Sequence, residues 1–165
     1  MIEITSFRFV TTGVWGYKFY DEQHNELGSV KADVLPSQPL QISAKGIDWY
    51  SSFDMNHMIV PGMYRYVKNR QNGEEIYRVI FCKPDLYQVS TSDNRTIQVE
   101  KRDENLLFGK PGEPAIAVSK RIREARWRPR IGYCDVLPYF NTVFYEEVSM
   151  KYMMMVLSFP SLKIG

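Results

Sequence analysis

Short apolar runs of period two, separated by charged or glycine-bearing turns, occupy most of the chain. Phe7–Val10 and Val14–Tyr20 are strand candidates, and the polar stretch 21–26 folds the second back into Leu27–Val30 as a hairpin. Met63–Lys68 and Ile76–Phe81 flank a charged turn containing Asn72-Gly73, two residues that tolerate the positive φ of tight hairpins. Leu86–Ser90 and Thr96–Glu100 alternate around Ser92–Arg95. Leu106–Phe108, Ala115–Val118, Tyr133–Leu137 and Thr142–Val148 continue the series, with the turn Gly109-Lys110-Pro111-Gly112 inside it. Regularly spaced short strands with turn residues between them predict a sandwich or barrel. No sustained helical period precedes residue 145, which disfavours parallel βαβ folds.

The pattern changes at the C-terminal end. Met150–Phe159 is apolar on nearly every side, interrupted only by Lys151 and Ser158. A helix apolar all round must be enclosed by the rest of its domain, so this segment is expected inside a shell of strands. Ser149 fits an N-cap, Glu146 and Glu147 stand where a helix N-terminus favours negative charge, and Pro160 is expected to end the helix. A final buried strand is the alternative, disfavoured by three consecutive methionines, which prefer helix. The stretch 35–62, with Pro36, Pro39 and Pro61, is the least regular and reads as a short helix or a covering loop. No linker divides the chain, so residues 1–165 are expected to form a single domain.

A hydrophobic content of 44% is enough for a sizeable core. Met1-Ile2-Glu3-Ile4 does not read as a secretory signal or anchor, which points to a cytoplasmic product. Pro160 cuts the terminal apolar run to about half the ~20 residues needed to cross a bilayer. Cys82 and Cys134 form no CxxC pair and read as buried thiols in a reducing compartment.

Charge is unevenly placed. The chain holds 21 Lys+Arg and 19 Asp+Glu; six of the former and one of the latter fall within 120–130, so this run carries +5 and the remainder −3. Lys120, Arg121, Arg123, Arg126, Trp127, Arg128 and Arg130 are therefore the candidate binding residues for an anionic headgroup. If Arg126, Arg128 and Arg130 lie on a strand, period two puts the three guanidiniums on one face and Trp127 on the other. Forked Arg donors suit phosphate and an indole suits a membrane interface. A solvated edge whose charges blunt aggregation is the bland alternative. Nucleic acid is disfavoured, because the chain carries only +2 overall and no recognised binding motif.

Catalytic and metal chemistry find little support in the residues. His24 and His57 are the only histidines and neither has a zinc-ligand spacing around it. His24 falls in a polar turn, and His57 has no nucleophile beside it in sequence. No cofactor is indicated.

Barrel hairpins with charged turns around a hydrophobic C-terminal helix resemble the tubby C-terminal-like superfamily, which includes LURP-one-related proteins and phospholipid scramblases. The resemblance is carried by Tyr17-Lys18-Phe19-Tyr20-Asp21 with Glu26-Leu27-Gly28, by Gly73-Glu74-Glu75-Ile76-Tyr77-Arg78-Val79, by Gly112-Glu113-Pro114-Ala115-Ile116-Ala117, and by the Met-rich terminal run. It implies a mainly β fold, a closed antiparallel β-barrel of about twelve strands around the C-terminal helix. It also implies a non-enzymatic binding or scaffold module that contacts phosphoinositides or another anionic membrane surface, or a protein partner, as a cytoplasmic and membrane-peripheral protein. The chain departs from the scramblase pattern in having no Cys-rich palmitoylation tract and no flanking transmembrane segment. It lacks a recognisable tubby phosphoinositide signature, so no headgroup-binding residue carries over. A small-ligand carrier or barrel enzyme of lipocalin-like type is the alternative, and it requires an open lumen.

Overall fold

The computed structural model describes residues 1–11, 13–33, 39–51, 61–122, 130–131, 134–135 and 137–162. Its strands are β1 (Ile2–Thr11), β2 (Val14–Tyr20), β3 (Glu26–Asp33), β4 (Leu40–Ala44), β5 (Ile47–Ser51), β6 (Tyr64–Asn69), β7 (Glu75–Lys83), β8 (Leu86–Thr91), β9 (Thr96–Arg102), β10 (Asn105–Gly109), β11 (Ala117–Arg121), β12 (Arg130–Ile131), β13 (Cys134–Asp135) and β14 (Leu137–Phe144). One helix, α1 (Met150–Leu162), follows.

Twelve of these strands close into an antiparallel barrel in which sequence neighbours are spatial neighbours. β14 then pairs with both β11 and β1, and β12 and β13 form a separate two-stranded hairpin. Closure is set by β1, which runs from Ile2↔Phe144 to Arg8↔Leu137 along β14 and from Thr5↔Tyr20 to Thr11↔Val14 along β2. Closing the sheet on itself removes the exposed edges that would template aggregation.

Alternation explains most of the interior. Ile42 and Trp49, Val67, Val79, Val89, Ile97, Val99 and Phe108 occupy inward positions and are buried. Helix α1 threads the space they enclose: Met153–Phe159 is buried throughout, and Met154 is 0% exposed. At 1.5 Å per residue its 13 residues span about 20 Å, the length of a short barrel. Glycine makes room for it on one side. A Cβ on Gly28 would stand 2.6 Å from the Ser43 carbonyl oxygen and 3.0 Å from Met154 Cε.

Several expectations need correction. Within the stretch 35–62, Leu40–Ala44 and Ile47–Ser51 form two strands of the closed ring, β4 and β5, where a short helix or covering loop was expected, and 35–38 and 52–60 lie outside the described residues. Leu40 and Ile42 pack inward, as do Trp49 and Ser51 across the Lys45-Gly46 turn, where Gly46 has φ +74°. Strand β1 begins at Ile2, well before Phe7; the pattern starts at Phe7 in sequence because the buried Ser6 interrupts the apolar alternation, and a bulge lies between Ser6 and Phe7. In the 69–74 turn only Gly73 takes positive φ, and the loop is closed by Gly73 N–H to the Asn69 carbonyl at 2.8 Å rather than by a two-residue turn. Tyr133–Leu137 takes in β13 and the first residue of β14, and β14 runs on to Phe144, so of Thr142–Val148 only the first three residues are strand.

Helix α1 is capped as the sequence predicts, with the Tyr152 N–H donating to Ser149 Oγ at 3.2 Å. Glu146 and Glu147 precede the cap, so the first turn holds no acid. Pro160 lies inside the helix instead of ending it. So near the C-terminal end, the missing N–H removes one backbone bond without stopping the last turn.

Met154→Asp places an unpaired charge in the lumen and is expected to leave the chain unfolded, since such substitutions exceed about 4 kcal/mol. Circular dichroism and thermal melting measure this; a wild-type melting curve would contradict an enclosed helix.

Candidate functional site

The lumen is the first place where a ligand would sit in a barrel, and here side chains of the chain itself fill it. Phe159 meets Tyr87 and Phe108 edge-on at centroid distances of 5.4 and 5.6 Å. The Ser158 and Tyr77 hydroxyls are 2.6 Å apart, and Ser158 also donates to the Met155 carbonyl at 3.2 Å. At the C-terminal end of α1 the buried Arg65 donates from Nε to Ser51 Oγ at 3.0 Å and from Nη1 to the Leu162 carbonyl at 3.3 Å. A cation at this end complements the helix dipole and occupies carbonyls that have no intrahelical partner. Burial pushes the Tyr77 hydroxyl well above the usual tyrosine range, against smaller opposing effects of Ser158 and Arg65. Nothing in the periodicity singled out Arg65, which stands at an inward position between two tyrosines; a charge on the buried phase of a strand was its only signal.

The basic run leaves the barrel at the end of β11. Ala117 and Ser119 point inward and are buried, whereas Lys120 is exposed on the outer wall and Arg121 is exposed at the rim. The two cations therefore do not share a face. Register places Lys120 beside Asn105 and Asn141, and Asn105 beside Arg102, so one outer row reads Arg102, Asn105, Lys120, Asn141 across four strands. Arg102 is held by Glu100 at 3.0 Å. Asn141 donates to Glu3 at 2.7 Å, while its own Oδ1 is buried with no hydrogen-bond partner among the described residues. Arg102 was not singled out from sequence because its approach to Lys120 depends on pairing across β10.

Of the other candidate residues, Arg130 begins β12, where its register partner is Asp135. Arg123, Arg126, Trp127 and Arg128 lie outside the described residues, so the three-guanidinium face is not among the observed features. The β12–β13 hairpin lies against β1. On β1, Phe7 and Phe9 pair with the outward positions Lys18 and Gly16, yet they are buried in a second small core with Tyr20 and Val14. This core lies outside the barrel wall.

The described residues also line two concavities. A groove of about 370 Å³ runs along the outer wall of β9 and β10 beneath the Gly109–Ala115 loop, lined by Gln98, Glu100, Arg102, Leu107, Lys110 and Glu113 among others. The Gly109–Gly112 segment is a turn, closed by Glu113 N–H to the Lys110 carbonyl at 3.1 Å. A smaller cavity of about 70 Å³ sits at the barrel mouth beside the start of α1, between Trp49, Arg95, Lys151 and Tyr152. There, burial and then the charge of Glu146 push the Tyr152 hydroxyl up to about 12.

Among the described residues no cluster of His, Cys, Asp and Glu could hold a metal ion. His24 sits exposed in a turn at φ +65°, and His57 lies outside the described residues. Cys82 is a free thiol, half-buried on the outer side of β7 rather than fully buried as expected. Among the described residues no helix is long and apolar enough to cross a membrane.

Tyr77 and Tyr152 both hold their protons more tightly folded than unfolded. The folded state therefore keeps protons that the unfolded chain releases above about pH 10. The stability this gives is complete below that pH and is lost as pH rises through the folded values. Urea midpoints measured from about pH 8 to 11 are expected to fall at the upper end, less so in Tyr152→Phe. A flat profile would contradict it. At neutral pH the Tyr152→Phe change itself is expected to be neutral or mildly stabilising, because its Oη is buried without a partner among the described residues.

Compared with protein-family models, curated proteins and solved structures, the chain matches none.

Proposed function

We propose that the protein is a non-enzymatic binding module that engages anionic surfaces, phospholipid phosphate above all, through the basic region that leaves β11. The observation that carries this is the placement of Lys120 and Arg121, both exposed at one end of the barrel, where the chain enters a run of net charge +5. Arg102, paired with Glu100, stands on the same outer row as Lys120. The filled lumen supports a function on the outside: the volume that a lipocalin-like carrier would offer its ligand is taken by Met154, Ser158 and Phe159. A barrel closed around its C-terminal helix is also the architecture that the tubby-like resemblance implies, and that superfamily includes phosphoinositide binders.

Basic residues near an anionic bilayer contribute roughly 1 kcal/mol each, and the attraction is screened by salt. The full chain is expected to sediment with phosphatidylserine-containing vesicles, less as salt rises, and not with neutral phosphatidylcholine vesicles. Replacing Lys120 and Arg121 together by Ala is expected to weaken binding by about 30-fold, from about 2 kcal/mol. Equal binding to neutral and anionic vesicles, or none to either, would overturn the proposal.

A further inference from the structure

The loop that overhangs the groove on β9 and β10 is held in place by its own sequence. It contains Pro111 and Pro114, each of which fixes its φ at about −65°. A Cβ on Gly109 would stand 3.2 Å from Ala115 Cα and 3.3 Å from the Pro114 carbonyl oxygen, so glycine lets the loop fold back tightly onto its strand. Gly112 takes φ +77°, and the Glu113 N–H closes a turn on the Lys110 carbonyl at 3.1 Å. The Ile116 N–H then returns the chain to the Phe108 carbonyl at 2.7 Å. The overhang is therefore formed without a ligand.

The two sides of the groove offer different chemistry. Leu107 takes an outward position on β10, half-buried, opposite Glu100 of β9 in the register. It forms an apolar floor beside the polar side chains of Gln98, Glu100 and Arg102. On the β9 side Glu100 and Arg102 satisfy each other at 3.0 Å. On the loop side Lys110 and Glu113 are exposed, and neither side chain has an ion pair or hydrogen bond among the described residues. The four charges cancel, so a simple anion or cation would meet one loop charge and be opposed by the other. The volume of about 370 Å³ lies at the small end of the roughly 300–1,000 Å³ usual for ligand pockets, which suits a small molecule rather than a polymer.

From the two unpaired loop charges of opposite sign and the apolar floor between the walls, we infer that this groove binds a small zwitterion with an apolar body, a free α-amino acid of the leucine kind. Its carboxylate meets Lys110, its ammonium meets Glu113 and its side chain lies on Leu107. Because the loop is already in place, binding does not have to order it. Each exposed charge pair contributes no more than about fivefold in affinity, so the two charges have to act together and binding is weak. The site is separate from the one proposed for anionic surfaces, since neither Lys120 nor Arg121 lines the groove.

Titration of the isotope-labelled full chain with L-leucine, followed by amide chemical shifts, provides the test. The amides of Leu107, Gly109, Lys110, Gly112 and Glu113 are expected to shift saturably, and those of α1 to stay unchanged. Isocaproate, which is leucine without the ammonium, and isoamylamine, which is leucine without the carboxylate, are each expected to bind about fivefold more weakly. In Lys110→Gln, leucine is expected to bind no better than isoamylamine; in Glu113→Gln, no better than isocaproate. Both side chains are exposed, so neither change is expected to disturb folding. No saturable shift at the groove, analogues that bind as well as leucine, or variants that keep the wild-type preference would overturn the inference. The titration contains no lipid and the vesicle assay no amino acid, so failure of either proposal is read without the other.

Discussion

A helix with no polar face is the constraint on which the rest of this fold depends. Met153–Phe159 offers apolar surface in every direction, so it is stable only when sheet surrounds it. A closed barrel meets that demand, and the barrel in turn needs the helix, since an empty lumen lined by Trp49, Val79 and Phe108 would leave their packing unfilled. Methionine suits this mutual fit because its unbranched thioether adapts to the irregular gaps between strands. Several buried polar groups are paired with one another or with the helix backbone, while Ser161 Oγ has no partner among the described residues. Ser158 meets Tyr77, and Arg65 meets the last carbonyl of α1.

Filling the interior moves interaction to the outside. Among the described residues each of the twelve barrel strands has a neighbour on both sides, which leaves the ring without an edge strand. Among the described residues the exposed large apolar side chains stand at the ends of the barrel. Lys120 and Arg102 align on one row only because β9, β10 and β11 hold a fixed register. β13 lies against β1 and pairs with β12, whose first residue is Arg130 at the end of the basic run.

Much of the architecture was legible in the sequence because each strand repeats a period-two code and the final segment abandons it. Elements escaped where that code was interrupted. Ser6 at an inward site and the following bulge hid the first half of β1, while the prolines around Leu40–Ser51 hid two regular strands. Pro160 was expected to end α1 and does not, since so late a proline removes a bond that the helix can lose. The candidate site was less legible, for a physical reason. The concentration of charge between 120 and 130 is a property of sequence, but the divergence of Lys120 and Arg121 and the approach of Arg102 follow from pairings between distant strands. Arg65 shows the same limit: a charged residue on a buried phase marks an interior role without naming its partner.

Native-state amide hydrogen exchange tests the enclosed helix most directly. If sheet surrounds α1, the amides of Met154–Phe159 can exchange only when the barrel opens as a whole, so their protection is expected to equal the global free energy of unfolding measured with denaturant. Exchange of those amides through local opening, at a free energy well below the global value while β7 and β9 stay protected, would show that the helix leaves the barrel intact behind it and would contradict the account.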